Sequence, residues 1–363
     1  MILDSFQYMN ALDYFELFFM GVLASGALVL LMHRLAIPLG LMDVPCERKD
    51  HNGQVPLVGG MAVYIATAVI LLFYQPHSVD RDLYLVASAI IVFIGVLDDK
   101  YDLTVRSRLI GQSLVALILI AGLQKHFFSL GDLFSIGTTI ELYSFGIPFT
   151  VLAVLALINA FNMIDGIDGL LGFVSAVFYG FLGVQALLSG SIYIFITCLV
   201  LVACLIPFLA ANLGFAPVGN KKIFMGDAGS MFMGLTVVWL TVEATQSSQP
   251  IVRPVTVLFF AALPIIDMIA IIIRRIKKGK SPLVADRDHI HHIFMRGGLS
   301  PRQTLLVLVT LSFMSAFFGL MLERFNVPDV LVLASFICLC VAYSIMVQHS
   351  WKFCRWLRSH FTK

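Results

Sequence analysis

Runs of Val, Leu, Ile, Phe and Ala, each close to membrane-spanning length, dominate this chain. The stretch 191–211, SIYIFITCLVLVACLIPFLAA, holds no Asp, Glu, Lys or Arg. A helix of about 20 apolar residues crosses the hydrocarbon of a bilayer. There, every backbone N–H and C=O must be satisfied within the spanning structure, which leaves only helices and closed barrels. Runs of this length without strict alternation select helices. Eleven spans can be read, near 14–32, 57–75, 82–97, 109–124, 145–161, 169–189, 191–211, 229–245, 251–273, 303–322 and 328–348. Charged residues make up 13% of the 363 and apolar ones 59%, outside the range of soluble domains. The expected fold is all-α: a polytopic integral membrane protein of about eleven transmembrane helices, forming one transmembrane domain over 1–363 in a lipid bilayer.

Lys and Arg collect on the cytoplasmic side of membrane proteins. With eleven spans, Arg81, Lys125, Arg253 and Arg324 fall on one side, and the other 20 of the 24 basic residues on the opposite side. This split predicts a periplasmic N-terminus and a cytoplasmic C-terminus. Asp4, Asp13 and Glu16 lie at the first span with no Lys or Arg before it, unlike the basic start of a secretory signal. The first span therefore reads as a retained anchor. The six cysteines, Cys46, Cys198, Cys204, Cys338, Cys340 and Cys354, lie in spans or inner segments without a CxxC pair. That argues against a disulfide framework or a structural zinc site. No repeat or separate soluble domain is visible. The outer segment 125–144 reads as a plain connecting loop, with a weak alternation that also suits a short hairpin.

The dense polar motifs all fall on the basic side: GVLDDKYDLTVRSRLIGQ (95–112), NAFNMIDGIDGL (159–170), NLGFAPVGNKKIFMGDAGS (212–230) and DRDHIHHIFMRGGLS (286–300). Ionisable groups near a bilayer are costly and usually mark function. Four clusters on one face point to one site. Asp98, Asp99 and Asp102 end the third span, where a helix C-terminus disfavours negative charge. Adjacent carboxylates stay ionised together only near cations, and Lys100, Arg106 and Arg108 are close in sequence. Asn162, Asp165 and Asp168 are hard-oxygen carriers suited to Mg²⁺ or Mn²⁺, or to donors on a ligand. Asp168 is also placed to cap the sixth helix.

Lys221, Lys222 and Phe224 precede Asp227 and the small residues that open the eighth helix. A helix N-terminus offers free N–H groups to an anion, and Asp227 is read as its cap or as a metal ligand. Phe224 is an aromatic face for a nucleobase, or plain interface packing. His289, His291 and His292, with Arg287 and Arg296, lack the i, i+4 spacing of a zinc helix. They suit contacts to a diphosphate or sugar instead. Arg274, Arg275, Lys277, Lys278 and Lys280 form the ordinary basic anchor and also suit an anionic headgroup. Asp267 lies inside the ninth span, either as a site residue or as a partner of Arg274.

Together these groups suit phosphoryl transfer between a soluble nucleotide and a lipid at the inner membrane surface. An ion-coupled transporter, the alternative class, predicts midplane charges in broken helices and repeated halves. Here nearly all charge lies at one surface.

The motifs DDKYDL, NAFNMIDGIDGL, FMGDAGS and DHIHH, in this order on alternating inner loops, resemble the polyprenyl-phosphate N-acetylhexosamine-1-phosphate transferase superfamily. The likeness covers nearly the whole chain. HIHH preceded by DRD resembles the branch that uses N-acetylglucosamine rather than the branch that makes the first peptidoglycan lipid. The resemblance implies a metal-dependent phosphoglycosyl transferase with its active site on the cytoplasmic face of the bacterial inner membrane. UDP-N-acetylglucosamine and undecaprenyl phosphate would give undecaprenyl-diphospho-N-acetylglucosamine and UMP, the first membrane step of O-antigen or common-antigen synthesis. Another UDP-sugar or the peptidoglycan precursor is the alternative donor. The cofactor implied is Mg²⁺ or Mn²⁺. No nucleic acid is expected as a partner, and a homo-oligomer is compatible with the pattern.

By motif position, the resemblance implies that Asp227 is a metal ligand, with Asn162 as a second. It puts Phe224 on uracil, Asp168 at the uridine, and Asp98 and Asp99 at the lipid phosphate as base or as positioning groups. Arg108 stands where the peptidoglycan relative commonly has Lys. His289, His291 and His292, with Arg296, would hold the diphosphate or sugar. Asp165 receives a place in the substrate site without a defined role.

Overall fold

A computed structural model describes residues 10–43, 53–215, 222–279, 281 and 289–361. Asp4, Cys46, Lys221, Lys280 and Arg287, named above, and with Arg287 the whole DRD run 286–288, lie outside the described residues. In chain order the elements are α1 (Ala11–Leu39), β1 (Met42–Asp43), β2 (Val55–Pro56), α2 (Gly59–Tyr74), α3 (Val79–Tyr101) and α4 (Val105–Leu123). Then come α5 (Gly146–Ile164), α6 (Leu170–Leu188), α7 (Ile192–Asn212), α8 (Gly226–Thr245), α9 (Pro254–Phe260) and α10 (Ala262–Lys277). The chain continues through α11 (Ile290–Arg296), α12 (Pro301–Arg324), α13 (Asp329–Gln348) and α14 (Ser350–Phe361). The two short strands pair antiparallel, Met42 opposite Pro56.

Each predicted span coincides with helix, so the all-α membrane architecture holds. Among the described residues, eight helices are long and apolar enough to cross a membrane. The bent pair α9–α10 makes a ninth. α2 is shorter, at 16 residues, and α3 carries ionisable groups at both ends. Apolar length therefore does not by itself confirm the count of eleven.

The ninth span is not the single rod the sequence reading expected. It bends by 87° between α9 and α10. Pro264 supplies the cause: it has no N–H for the carbonyl four residues earlier, and its ring clashes with that turn. A broken helix was the mark expected of a transporter, but Phe260, Ala261, Ala262 and Leu263 at the break carry no ionisable side chain.

α8 is the centre of the bundle. In its apolar window 94% of residues are buried, against 22% in α1 and in α13. α3, α5 and α2 pack directly on it, while the peripheral helices leave side chains such as Phe15, Leu23, Leu331 and Val341 exposed to the surroundings. Lipid tails are as apolar as leucine, so close backbone approach rather than hydrophobic exclusion holds such helices together. A Cβ on Gly60 of α2 would stand 2.2 Å from the backbone of Gly229. One on Gly95 of α3 would stand 2.3 Å from Ala228 Cα. Further along α8, Tyr84 Oη lies 2.9 Å from Thr236 Oγ1, and the Tyr84 ring stacks on Trp239 at 4.1 Å.

The end of the bundle away from the polar motifs is closed by ion pairs. Lys125 bonds Asp80 and Glu243 at 2.5 and 2.8 Å. Arg253 bonds Glu323 and Asp329 at 2.9 and 2.6 Å. The 125–144 segment forms a small hairpin, with Ser129 bridged to Glu141 and Gln246 Oε1 accepting from the N–H groups of Phe128 and Ser129.

Because Gly60 and Gly95 meet backbone, a side chain there forces whole helices apart. Gly60→Val and Gly95→Val are each expected to destabilise the protein by about 1–3 kcal/mol. Gly180, with nothing within 4 Å of its Cβ position, is the control: Gly180→Ala should leave stability unchanged or higher. Thermal unfolding of the detergent-purified variants measures the difference.

Candidate active site

The C-terminal ends of α3 and α5 and the N-terminal end of α8 meet at one end of the bundle. Asp98 and Asp99 occupy the last turn of α3, where neighbours point about 100° apart. Asp98, 4% exposed, turns toward α4. Its Oδ1 accepts the Leu103 N–H at 2.9 Å, and its Oδ2 accepts from Arg108 Nη1 at 3.0 Å. Asp99 turns toward α8 and accepts the backbone N–H groups of Asp227 at 2.9 Å and Ala228 at 3.3 Å. These are donors that a helix leaves unsatisfied at its start. The helix end expected to bind a substrate anion is thus occupied by the chain's own carboxylate. Asp227 does not cap α8; Asp99 does. Gly226 allows this, with φ of 72° and a Cβ position only 2.6 Å from Asp99 Oδ2.

Asp227 turns to α5 instead. Its Oδ1 accepts from Asn162 Nδ2 at 2.5 Å, and the same amide group donates to Ser230 Oγ at 2.9 Å. Asp165 follows α5 and is exposed. It is open at its tip yet surrounded by protein mass. That desolvation, with Asp227 and Asp168 nearby, raises its carboxyl to about 7.

Asp168 is not the cap of α6. Gly169 takes that position at φ 79°, and its N–H donates to Asn212 Oδ1 at 2.6 Å. Asn212 also donates to the Ile223 carbonyl at 2.8 Å, tying the 165–169 loop to the segment before α8. Asp168 pairs with Lys222 Nζ at 2.6 Å, and that ammonium lies 5.0 Å from the centre of the Phe224 ring. Phe224 itself is laid along β2, its N–H donating to the Pro56 carbonyl at 2.8 Å.

The histidine segment joins this group at Gly166, whose Cβ position would lie 2.0 Å from His291 Nε2. His291 is 2% exposed. Burial, with His292 and His289 beside it, lowers its pKa to about 3. It is therefore neutral at physiological pH. Its buried Nδ1 has no protein partner among the described residues. His292 lies 4.3 Å from the His291 ring. Arg296 Nε donates to the His292 carbonyl at 3.3 Å.

His289 caps α11 and shares a 2.7 Å hydrogen bond with Asp267 Oδ2. This corrects the reading of Asp267 as a partner of Arg274. The Asp267 oxygens are engaged by His289, Ile290 and Tyr343, while Arg274 Nη1 donates to the Val347 carbonyl at 3.4 Å.

The charges do not balance inside this group. Asp98 faces Arg108, Asp168 faces Lys222, and Asp99 faces the start of α8. Asp165 and Asp227 have no ion pair with Lys or Arg among the described residues. Two uncompensated carboxylates beside an amide make a hard-oxygen set suited to one divalent cation. Among the described residues, no three carboxylate, imidazole or thiolate groups already stand together as a metal site. Sequence reasoning missed Asn212, and read Ser230 only as one of the small residues that open the eighth helix rather than as the partner of Asn162. A lone Asn at the end of an otherwise apolar helix was the available signal for the first.

The class defined so far is a polytopic membrane protein whose polar groups, drawn from four separate segments, converge at one end of the helices. Residues 83–245 match the glycosyl transferase family 4 model, and the chain belongs to that family. It is similar to the undecaprenyl-phosphate alpha-N-acetylglucosaminyl 1-phosphate transferase of Yersinia pestis. The identity is 38% over 338 residues, covering 93% of this chain and 92% of the relative. The Escherichia coli (strain K12) protein of the same name is 38% identical over 330 residues, covering 90% and 88%. The Haemophilus influenzae one is 36% identical over 341 residues, covering 94% and 96%.

Two outcomes follow from the site's electrostatics. Arg108→Ala strands the buried Asp98 carboxylate and should cost about 3 kcal/mol of stability. Adding Asp98→Asn should recover most of that loss in thermal unfolding. For Asp165 the folded chain holds its proton more tightly than the unfolded chain, so its contribution is lost as pH rises from 3.8 through about 7. In metal-free buffer, stability should fall across that window, and Asp165→Asn should flatten the fall.

Proposed function

We propose that this protein transfers N-acetylglucosamine 1-phosphate from UDP-N-acetylglucosamine to undecaprenyl phosphate, giving undecaprenyl-diphospho-N-acetylglucosamine and UMP. The observation that carries the proposal is the convergence of all four motifs at one end of the bundle, in a chain alignable with the named transferases over nine-tenths of its length. The basic residues around that end support a cytoplasmic site in the bacterial inner membrane, with the N-terminus periplasmic and the C-terminus cytoplasmic. The product would enter O-antigen or common-antigen synthesis.

In the reaction an oxygen of the lipid phosphate attacks the sugar-bearing phosphorus. The bond from that phosphorus to the oxygen bridging to the uridine-bearing phosphate breaks, and UMP leaves with that oxygen. A phosphate monoester has a second pKa of about 6, so the lipid phosphate is mostly a dianion at neutral pH and needs little base assistance. That agrees with the engagement of Asp98 by Arg108 and of Asp99 by α8, which suits them to positioning rather than proton removal. Asp227 and Asn162, with Asp165 alongside, are the residues that would hold Mg²⁺ or Mn²⁺. Such a cation supplies charge neutralisation for the phosphate oxygens. Asp168 and Phe224 would take the uridine once Lys222 moves off both. A released Lys222 is then free to meet the diphosphate.

Purified protein with Mg²⁺, undecaprenyl phosphate and a panel of UDP-sugars should release UMP fastest with UDP-N-acetylglucosamine. Preference for another UDP-sugar or for the peptidoglycan precursor would replace the donor. No release with any donor would overturn the reaction. Asp227→Asn, still folded, should abolish release across a range of Mg²⁺ concentrations.

A further inference from the structure

Asp267 lies in α10, within the ninth span, and is only 1% exposed. A carboxylate placed there is costly and calls for partners. Three donors converge on its two oxygens. His289 Nδ1 lies 2.7 Å from Oδ2, while Oδ1 accepts from Tyr343 Oη at 2.5 Å and from the Ile290 N–H at 3.2 Å. One carboxylate therefore joins α10, the start of α11 and α13.

This arrangement decides the state of the imidazole. Oδ1 already accepts two hydrogen bonds, which favour the carboxylate form, so Oδ2 acts as an acceptor too and the hydrogen it shares belongs to Nδ1. Committing Nδ1 leaves Nε2, on the opposite side of the ring, as the nitrogen available to a ligand. The His289 ring lies parallel to His291, with centroids 5.8 Å apart and planes within 3°. His291 in turn abuts Gly166, between Asp165 and Asp168. The orientation set at Asp267 is thus passed to the loop that bears the carboxylates.

We propose that Asp267 is a positioning residue for His289, a carboxylate within a membrane helix that fixes which ring nitrogen of the histidine at the start of α11 meets the sugar diphosphate. The proposal rests on the transfer reaction above for the identity of the ligand, and its structural part stands apart from it. A purely packing role would be served equally by asparagine, which has nearly the same shape. Asparagine cannot serve the positioning role. With its oxygen still held by Tyr343 and Ile290, its NH₂ would face His289 Nδ1 and donate to it. The ring would then carry its proton on Nε2.

The test uses the full-length protein in detergent with ¹⁵N-labelled histidine, the His289 signals being assigned by their loss in His289→Gln. Nδ1 should be protonated in the unmodified protein and in Tyr343→Phe. It should be unprotonated in Asp267→Asn. In the UMP-release assay Asp267→Asn should lower kcat about 100-fold, but by less than about threefold in a His289→Gln background, since the two residues act as one unit. An unprotonated Nδ1 in the unmodified protein overturns the proposal whether or not the Asp267 and Tyr343 variants fold. So does an unchanged tautomer in Asp267→Asn, or equal losses in the two backgrounds. If the unmodified protein released no UMP, the reaction would fail while the tautomer measurement still decided the role of Asp267.

Discussion

The site depends on one contact, the Asp99 carboxylate on the first N–H groups of α8. A helix that starts inside a bundle leaves donors that water cannot reach. Asp99 satisfies two of them with its carboxyl oxygens, at 2.9 and 3.3 Å, a capping contribution of about 0.5–2 kcal/mol. The contact exists only because α3 can approach α8 closely, through Gly95 against Ala228. It requires Gly226 at positive φ, since any side chain there would collide with Asp99. The same contact sets the direction of Asp227, whose side chain is then left to face Asn162 rather than its own helix end.

From that arrangement the charge pattern follows. Three aspartates are compensated by the protein: Asp98 by Arg108, Asp99 by α8 and Asp168 by Lys222. The carboxylates left over, Asp227 and Asp165, sit between the compensated ones. A site that neutralised all of its acids would have no use for a cation, and one that neutralised none would not hold together. Under the proposed transfer, a divalent ion would offset the repulsion between these carboxylates and the phosphates of a sugar nucleotide.

Much of this was legible in the sequence. The spans could be read because their apolar length is imposed by bilayer thickness, a constraint local to each segment. The four motifs could be read because polar residues stand out against such runs. The partners could not be read. That Asp168 pairs with Lys222, and that Asp99 rather than Asp227 caps α8, depends on which helices lie side by side. That adjacency is carried by Gly60, Gly95 and Gly229, residues without side chains to advertise it. Arg274 was one of two readings of Asp267, because the two are near in sequence and opposite in charge. Its partners come from segments 22 and 76 residues away. The break in the ninth span was available in Pro264, but hydropathy alone reads through a proline.

The histidine helix α11 shows how the rigid and the exchangeable parts of the site divide. Its seven residues are too few to be stable alone, so its position must come from outside. Asp267 and Tyr343 hold its start from within the bundle. Arg358 of α14 holds its end, donating to the Arg296 carbonyl at 2.7 and 3.1 Å, while Phe353 packs edge-on against Phe294. Between these two anchors the His291 ring is fixed against Gly166. Among the described residues, Lys222 is held by a half-exposed ion pair and a ring face, and surface pairs of that kind contribute about 0–1 kcal/mol. A ligand that offered Asp168 a better partner and stacked on Phe224 would displace Lys222 at little cost, whereas moving a histidine would strand a buried carboxylate. The physical asymmetry favours a fixed histidine segment and a Lys222 side that rearranges when a ligand binds.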